Sequence, residues 1–485
     1  MNVKIRKWCL LYFAICLLAF FNGQAFAEQE LDALDDYLHT FIEEHRIPGA
    51  SIALTNEEGI YYTKTWGITG ESEEEITNET PFTIGSISKS LTGLAVMKLV
   101  DDGEIELNDP ITLHLPWFTM LDDPARQITI KQALIHTSGI STYDGLALSD
   151  QEEMTVNPIK ARVKQLANVQ LTAFPGDKHQ YSNANYLILG ALIEEVTNQP
   201  FAEYMAESVF APLGMHAAAA DFNTAEKNGY LSGYQSWFGI PVKSPLKYDH
   251  GGAPYGYMTA STIDMVEFIT FLQQTGHKFI REEAIELYNY PHVQTGEDRY
   301  YGLGIRVSNP DTYEEMIWHS GSTPNSRSEL FFLPDTGWGG VILTNKNHFL
   351  EEASLLNLRN GIIRILNGEQ PEPVNPPFQI IPVLISALNL IVFFVLTYSL
   401  VKIKKDEIKN ILTWRIAGIL QLLIAIALFP MLTELVGVPW HTVKAFAPDF
   451  AFFIYMFFLL LLLNSFIHIF YSIKKPLETF NLRGF

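Results

Sequence analysis

Ser86 and Lys89 stand three residues apart in Gly85-Ser86-Ile87-Ser88-Lys89, after the β-rich Phe82-Thr83-Ile84 and before an apolar run containing Leu91, Leu94, Ala95, Met97 and Leu99. On a helix that spacing puts both side chains on one face, about 5–6 Å apart at Cβ. A lysine whose pKa is lowered by burial is able to take the serine proton, and a helix N-terminus favours the negative charge that develops. The chemistry such a pair could do is nucleophilic catalysis by a serine with lysine as its base. The SxxK pattern also occurs at Ser244, Ser399 and Ser472, but Pro245 spoils a helix at the first and the other two sit at the ends of apolar stretches. Only Ser86 has the required context, although a serine there would equally serve as an ordinary N-cap.

Two further clusters complement this pair. Tyr181-Ser182-Asn183 follows Phe174-Pro175-Gly176 and precedes a run with Leu187, Leu189, Ala191 and Leu192. A tyrosine there is placed to relay a proton, and Asn183 offers an amide to a substrate carbonyl. His319-Ser320-Gly321-Ser322 follows apolar Met316-Ile317-Trp318 and reads as a strand edge. Gly321 removes a side chain where a substrate would lie, and the backbone N–H groups of Ser322 and Ser86 would form an oxyanion hole. His319 offers a hydrogen bond or a positive charge to a substrate carboxylate; if protonated, it should bind that carboxylate less well as pH rises through its pKa. The sequence holds no HExxH, no paired CxxC, no Walker loop, no GxGxxG and no GxSxG, so neither a metal nor a cofactor is expected.

In this order, Ser86-Ile87-Ser88-Lys89, Tyr181-Ser182-Asn183 and His319-Ser320-Gly321 resemble the penicillin-recognising serine hydrolases. The branch is the one with class C β-lactamases, D-alanyl-D-alanine carboxypeptidases, D-amino-acid-specific peptidases and related esterases. Ile135-His136-Thr137-Ser138-Gly139, Phe174-Pro175-Gly176 and Tyr301-Gly302-Leu303-Gly304 look similar to that family as well, and the likeness runs from about Leu31 to Ile365. The resemblance implies an acyl-enzyme on Ser86, with Lys89 and Tyr181 sharing the general base and acid work in an order left open. It also implies that Asn183 positions the substrate. Where β-lactamases of this branch usually carry lysine in the third motif, this chain has His319, which the resemblance associates with peptidases and esterases. The expected substrates are therefore D-amino-acid peptides or related small amides and esters. A nucleophile that acylates without turning over would instead make the protein a sensor or binding protein for peptidoglycan fragments or β-lactams.

These residues need elements to hold them. Leu31, Leu34, Tyr37, Leu38, Phe41 and Ile42 recur at helical spacing, Pro48-Gly49 ends that helix, and Ala50 to Thr55 with Gly59 to Trp66 reads as a hairpin. A second hairpin is expected over Glu329 to Leu333 and Gly339 to Thr344, around Pro334-Asp335-Thr336-Gly337, and then a helix from about Leu350 to Leu366. Between them, from about Leu91 to Leu272, the chain reads as mostly helical or irregular. The fold class is α/β of the α+β type: an antiparallel sheet closed by the chain's two ends, flanked by helices, with a helical lobe. The resemblance likewise implies a site between two lobes.

Of the 485 residues 48% are hydrophobic and 18% charged, with a net charge of −21. That acidity argues against nucleic acid as a partner. Lys4, Arg6 and Lys7, an apolar run to Phe21 and Ala25-Phe26-Ala27 read as a signal peptide over 1–27, or as an uncleaved signal anchor. It carries both cysteines, Cys9 and Cys16. A hydrolase domain is expected over 28–369 and a Pro-rich linker over 370–379. Ile380 to Val401, Ile416 to Leu432 and Phe450 to Tyr471 read as three spans within 380–472, before a tail at 473–485. Lys402, Lys404, Lys405, Lys409, Lys474, Lys475 and Arg483 cluster on one side of the spans, so the positive-inside rule puts the hydrolase domain outside the cytoplasm of a multi-pass membrane protein.

Overall fold

The computed structural model describes residues 30–70, 72–152, 156–273, 279–312, 314–376, 380–408 and 410–474. The expected signal peptide and most of the expected tail lie outside the described residues. The chain divides into two compact units, residues up to 47 with 350–378, and residues 48–349 with 379–485.

In the first unit, the helix over residues 30–44 buries Leu34, Tyr37, Leu38 and Phe41, and the helix Glu352–Leu366 buries Leu355, Leu358, Ile362 and Ile365. The apolar stripe recurs every three to four residues in each, as a helix covered on one side requires. The Tyr37 hydroxyl donates to the Asn357 carbonyl at 3.0 Å. Its ring lies against the bare Cα of Gly361, where any Cβ would collide with it.

The strands of the second unit are β1 (Gly49–Asn56), β2 (Gly59–Gly67), β3 (Phe82–Thr83), β4 (Tyr234–Trp237), β5 (Ile240–Lys243), β6 (Thr259–Ala260) and β7 (Val293–Gly296). Then follow β8 (Arg299–Tyr301), β9 (Arg306–Ser308), β10 (Met316–Thr323), β11 (Ser326–Phe332), β12 (Gly339–Thr344) and β13 (Lys346–Asn347). Eight of them form an antiparallel sheet in the order β2-β1-β12-β11-β10-β9-β8-β7. Both expected hairpins are present, and β12 pairs with β1 in the register Ile52↔Ile342, so distant parts of the sequence close the sheet. β11 and β12 are buried along their whole length, as strands covered on both faces must be. The helix Thr262–Gln273 packs on β1, β11 and β12.

The region between the two hairpins is mostly helical, with Asn183–Thr197 at its centre against Ile130–Leu134, Thr142–Ala147 and Pro158–Gln165. It also holds elements not expected from the sequence: β6, which pairs with the β-rich Phe82–Thr83 of β3, and the β4–β5 hairpin. The hairpin turns on Phe238 and Gly239, both at positive φ (56° and 78°), the geometry of a two-residue primed turn. A phenylalanine stands where asparagine is usual, which hides the turn from composition.

Three helices, Ile380–Lys404, Ile411–Val436 and Pro448–Lys474, are long and apolar enough to cross a membrane. The second is longer than the expected Ile416 to Leu432. Asn410 caps it by accepting from the Thr413 amide at 3.0 Å, and Arg415, which interrupts the apolar run, donates to the Ser472 carbonyl at 2.8 Å. Polar side chains join the helices: Ser399 Oγ lies 2.8 Å from His468 Nε2, and Asn389 donates to the Phe453 carbonyl at 3.1 Å. The short helix Trp440–Phe446 links the second and third helices, at the end opposite Lys402, Lys404 and Lys474.

Candidate active site

Ser86 occupies a single 3₁₀ turn, Gly85–Ile87, that runs straight into the helix Ser88–Asp101. Gly85 has φ +53°, and a Cβ there would collide with the Ser322 amide and with Gly321. Gly321 is equally constrained, because its Cβ would run into the Ile84 carbonyl oxygen and the Ser328 hydroxyl. These two glycines let β10 pass directly beside the turn that carries the serine.

Lys89 is fully buried. Its Nζ lies 3.0 Å from Ser86 Oγ, 2.7 Å from the Tyr255 carbonyl oxygen and 4.8 Å from the centre of the Tyr181 ring. Burial, followed by the nearby Arg306 guanidinium, lowers its pKa well below the ordinary lysine value, while Asp150 opposes the shift. Tyr181 shows the opposite response: burial raises its pKa, although hydrogen bonding to Ser86 and the charge of Arg306 act against this. Near neutral pH the phenol keeps its proton.

Asn183 opens the helix Asn183–Thr197 and donates through Nδ2 to Ser149 Oγ at 3.0 Å. The loop before it is pinned by His136, whose Nδ1 accepts the Ser182 amide at 3.1 Å and whose ring lies 4.3 Å from that of Tyr181. Ser138 donates to Asn185 at 2.6 Å. The Ile135–Gly139 stretch thus acts by holding the tyrosine loop.

Ser322 Oγ accepts from Asn347 Nδ2 at 2.7 Å. His319 is buried, with Nδ1 2.7 Å from the Ser320 carbonyl and Nε2 3.2 Å from the Tyr301 hydroxyl. A carbonyl only accepts, so Nδ1 carries the proton and Tyr301 donates to Nε2. Burial, then Arg306 and Lys89, hold its pKa well below 6.5. The ring is neutral, and both its nitrogens are engaged.

All the residues singled out in the sequence, Ser86, Lys89, Tyr181, Asn183, His319, Gly321 and Ser322, meet in the second unit. The structure adds others. Arg306 sits in register with Tyr301 on one side and Trp318 on the other, and its guanidinium lies 5.2 Å from the Tyr181 ring centre and 5.3 Å and 5.4 Å from those of Tyr301 and Trp318. Among the described residues its buried Nε has no partner. The only hint in the sequence was its position two residues beyond Tyr301-Gly302-Leu303-Gly304. Asp150, at φ 56°, accepts from the Tyr257 hydroxyl at 2.6 Å, and burial pushes its pKa up to about 6. No group of three or more potential metal ligands occurs among the described residues.

The chain is similar to several known proteins. The chain is 28% identical over 428 residues to the protein Flp of Staphylococcus aureus strain N315, covering 83% of this chain and 81% of that one. It is 31% identical over 253 residues to the esterase EstB of Burkholderia gladioli, covering 48% and 63%. Its fold is similar to the octameric penicillin-binding protein homologue from Pyrococcus abyssi, with a TM-score of 0.63, 24% identity and coverage of 71% and 79%. It is also similar to EstCE1, a hydrolase with promiscuous acyltransferase activity, with a TM-score of 0.58, 20% identity and coverage of 66% and 94%. The family model described as Beta-lactamase matches residues 34–362, and the chain therefore belongs to the β-lactamase family of serine hydrolases.

Proposed function

We propose that the protein is a membrane-anchored serine hydrolase that works through an acyl-enzyme on Ser86 and cleaves small amides or esters, D-amino-acid peptides among them. The observation that carries this reading is the 3.0 Å approach of Lys89 Nζ to Ser86 Oγ at a lysine whose pKa is lowered by burial. A neutral amine has one lone pair and two hydrogens. With one hydrogen on the Tyr255 carbonyl, the lone pair is available to the serine proton.

Lys89 then acts as the base and Tyr181 as the relay. Ser86 Oγ gives its proton to Nζ and attacks the carbonyl carbon, and the oxyanion is held by the backbone N–H groups of Ser86 and Ser322. As the C–N or C–O bond breaks, Tyr181 protonates the leaving group and recovers a proton from the Lys89 ammonium. Water then attacks the ester by the reverse path. Asn183 orients the acyl group. Gly321 leaves room for substrate beside β10, and His319 supports the site as a neutral imidazole. Arg306 supplies the cation for a substrate carboxylate in place of His319.

The membrane reading is supported by the three apolar helices and by the clustering of Lys402, Lys404 and Lys474 at the end remote from the helix Trp440–Phe446. The test is turnover of a p-nitrophenyl ester and of a D-alanyl amide by the full-length protein. Activity on either that disappears in Ser86→Ala supports the reading, and activity that survives the substitution removes it.

A further inference from the structure

The β4–β5 hairpin carries an apolar surface that the hydrolase site does not use. Phe238, Ile240 and Val242 are 45%, 53% and 44% exposed. In the hairpin register Trp237 pairs with Ile240 and Gln235 with Val242, so these four side chains share one face. That face adjoins the start of the third apolar helix. The Trp237 ring is 6.0 Å from Phe452 and the Phe238 ring 5.3 Å from Phe453. Asp449 accepts the Phe238 amide at 3.0 Å, and Gln235 donates to the Ala445 carbonyl at 2.6 Å. Phe238 adopts a left-handed backbone (φ 56°), which is unfavourable for a bulky residue.

Two hydrogen-bonded routes connect the same membrane end to the substrate-binding residues. On one side, His441 Nε2 lies 3.2 Å from the carbonyls of both Leu146 and Ser149, and Ser149 Oγ accepts from Asn183. On the other, the buried Asp449 lies 2.9 Å from buried His348, whose neighbour Asn347 donates to Ser322 Oγ and to the Thr323 carbonyl at 2.7 Å each. Each route passes through only a few hydrogen bonds, so the membrane end of the domain is directly tied to the residues of the cleft.

We propose that the Tyr234–Lys243 hairpin dips into the outer leaflet and, with the helix Trp440–Phe446, holds the Ser86 cleft at headgroup level, so that the natural substrate is an amphiphilic ester or amide carried by the bilayer. This rests on the acyl-hydrolase and membrane readings above. The exposed face of Phe238, Ile240 and Val242 continues the lipid-facing surface of Phe452, which is itself 51% exposed. The bilayer is its occupant. A soluble partner protein or a second copy would require the face to turn away from the span it adjoins.

The test uses full-length protein in phosphatidylglycerol–phosphatidylethanolamine vesicles and one scissile ester in two forms, a soluble short-chain form and the same ester tethered to a phospholipid headgroup. Confinement to the bilayer plane raises the effective concentration at the cleft, so kcat/KM for the tethered form should exceed that for the soluble form by about tenfold or more. Phe238→Asn combined with Ile240→Ser should lower that preference severalfold and leave the soluble rate unchanged, which also shows that the variant is folded. An environment-sensitive fluorophore at Phe238→Cys should shift to the blue on reconstitution, independently of protein concentration. Equal kcat/KM for the two forms overturns the proposal, as does a fluorophore that stays aqueous or shifts only when copies associate. If neither form turns over, the acyl-hydrolase reading fails and the substrate proposal with it, while the fluorophore still reports whether the hairpin enters the bilayer.

Discussion

The guanidinium of Arg306 lies 5.2 Å from the centre of the Tyr181 ring. This puts a permanent positive charge beside the proton relay, and the same charge lowers the pKa of Lys89. Arg306 thus tunes the base, and in the proposed mechanism it also receives the substrate carboxylate.

Replacing Arg306 with Gln should separate these roles. A charge-assisted hydrogen bond contributes about 1.5–3 kcal/mol, so KM for a carboxylate-bearing amide should rise roughly 10- to 100-fold. KM for a neutral ester should barely change. Steady-state kinetics on the matched pair of substrates checks this, and an equal rise on both would remove Arg306 from carboxylate recognition.

The lowered pKa of Lys89 sets the pH dependence. The neutral amine is the active form, so kcat/KM for a neutral ester should climb with pH through the lowered pKa and level off well below the ordinary lysine range. Lys89→Arg, whose side chain never gives up its proton, should lose about 10²–10⁴-fold with no recovery at high pH. Stability has a matching sign. Between the lowered pKa and about 10.4 the unfolded chain binds a proton at this lysine that the folded chain does not, so stability rises with pH across that window. Lys89→Met should flatten that slope and raise the melting temperature near neutral pH.

His319 leads to a different pH expectation. A protonated imidazole would make KM for carboxylate substrates rise between about pH 5.5 and 8. The buried neutral ring, bonded to Ser320 and Tyr301, predicts a flat profile instead. A rise that disappears in His319→Gln would restore the histidine as the charge carrier.

Gly321→Ala tests the packing of β10 against the serine turn. Its methyl group would have to displace the Ile84 carbonyl that leads into Gly85 and Ser86. Acylation should slow by about 100-fold, since small misplacements at a reacting centre cost that much. Melting temperature and labelling rate, measured together, separate a displaced site from an unfolded one.

What was legible in the sequence follows from range. Ser86 and Lys89 belong to one helical turn, so their spacing alone states their relation. The two hairpins, β1–β2 and β11–β12, which lie side by side in the sheet, show strand alternation and turn residues locally. The partners that set the chemistry arrive from elsewhere. The Tyr255 carbonyl that fixes Lys89 comes from 166 residues away and is a backbone atom, which no residue type announces. Arg306 reaches the site only because β8, β9 and β10 align in register. His319 was visible as a source of either a hydrogen bond or a charge, and the choice between them depends on burial and on neighbouring cations. The β4–β5 hairpin escaped because its strands are four residues long and Phe238 occupies a turn position that favours asparagine.

The central claim is an acyl bond to Ser86, and the most direct measurement is intact-mass analysis with peptide mapping. Full-length protein and Ser86→Ala are compared after brief and after prolonged exposure to a penicillin and to an activated D-alanyl ester, each quenched in acid. The account predicts an adduct of the acyl group's mass on the Ser86 peptide, absent from the variant and, for the D-alanyl ester, decaying as product appears. An adduct on another residue, or none with either reagent while hydrolysis proceeds, would contradict it.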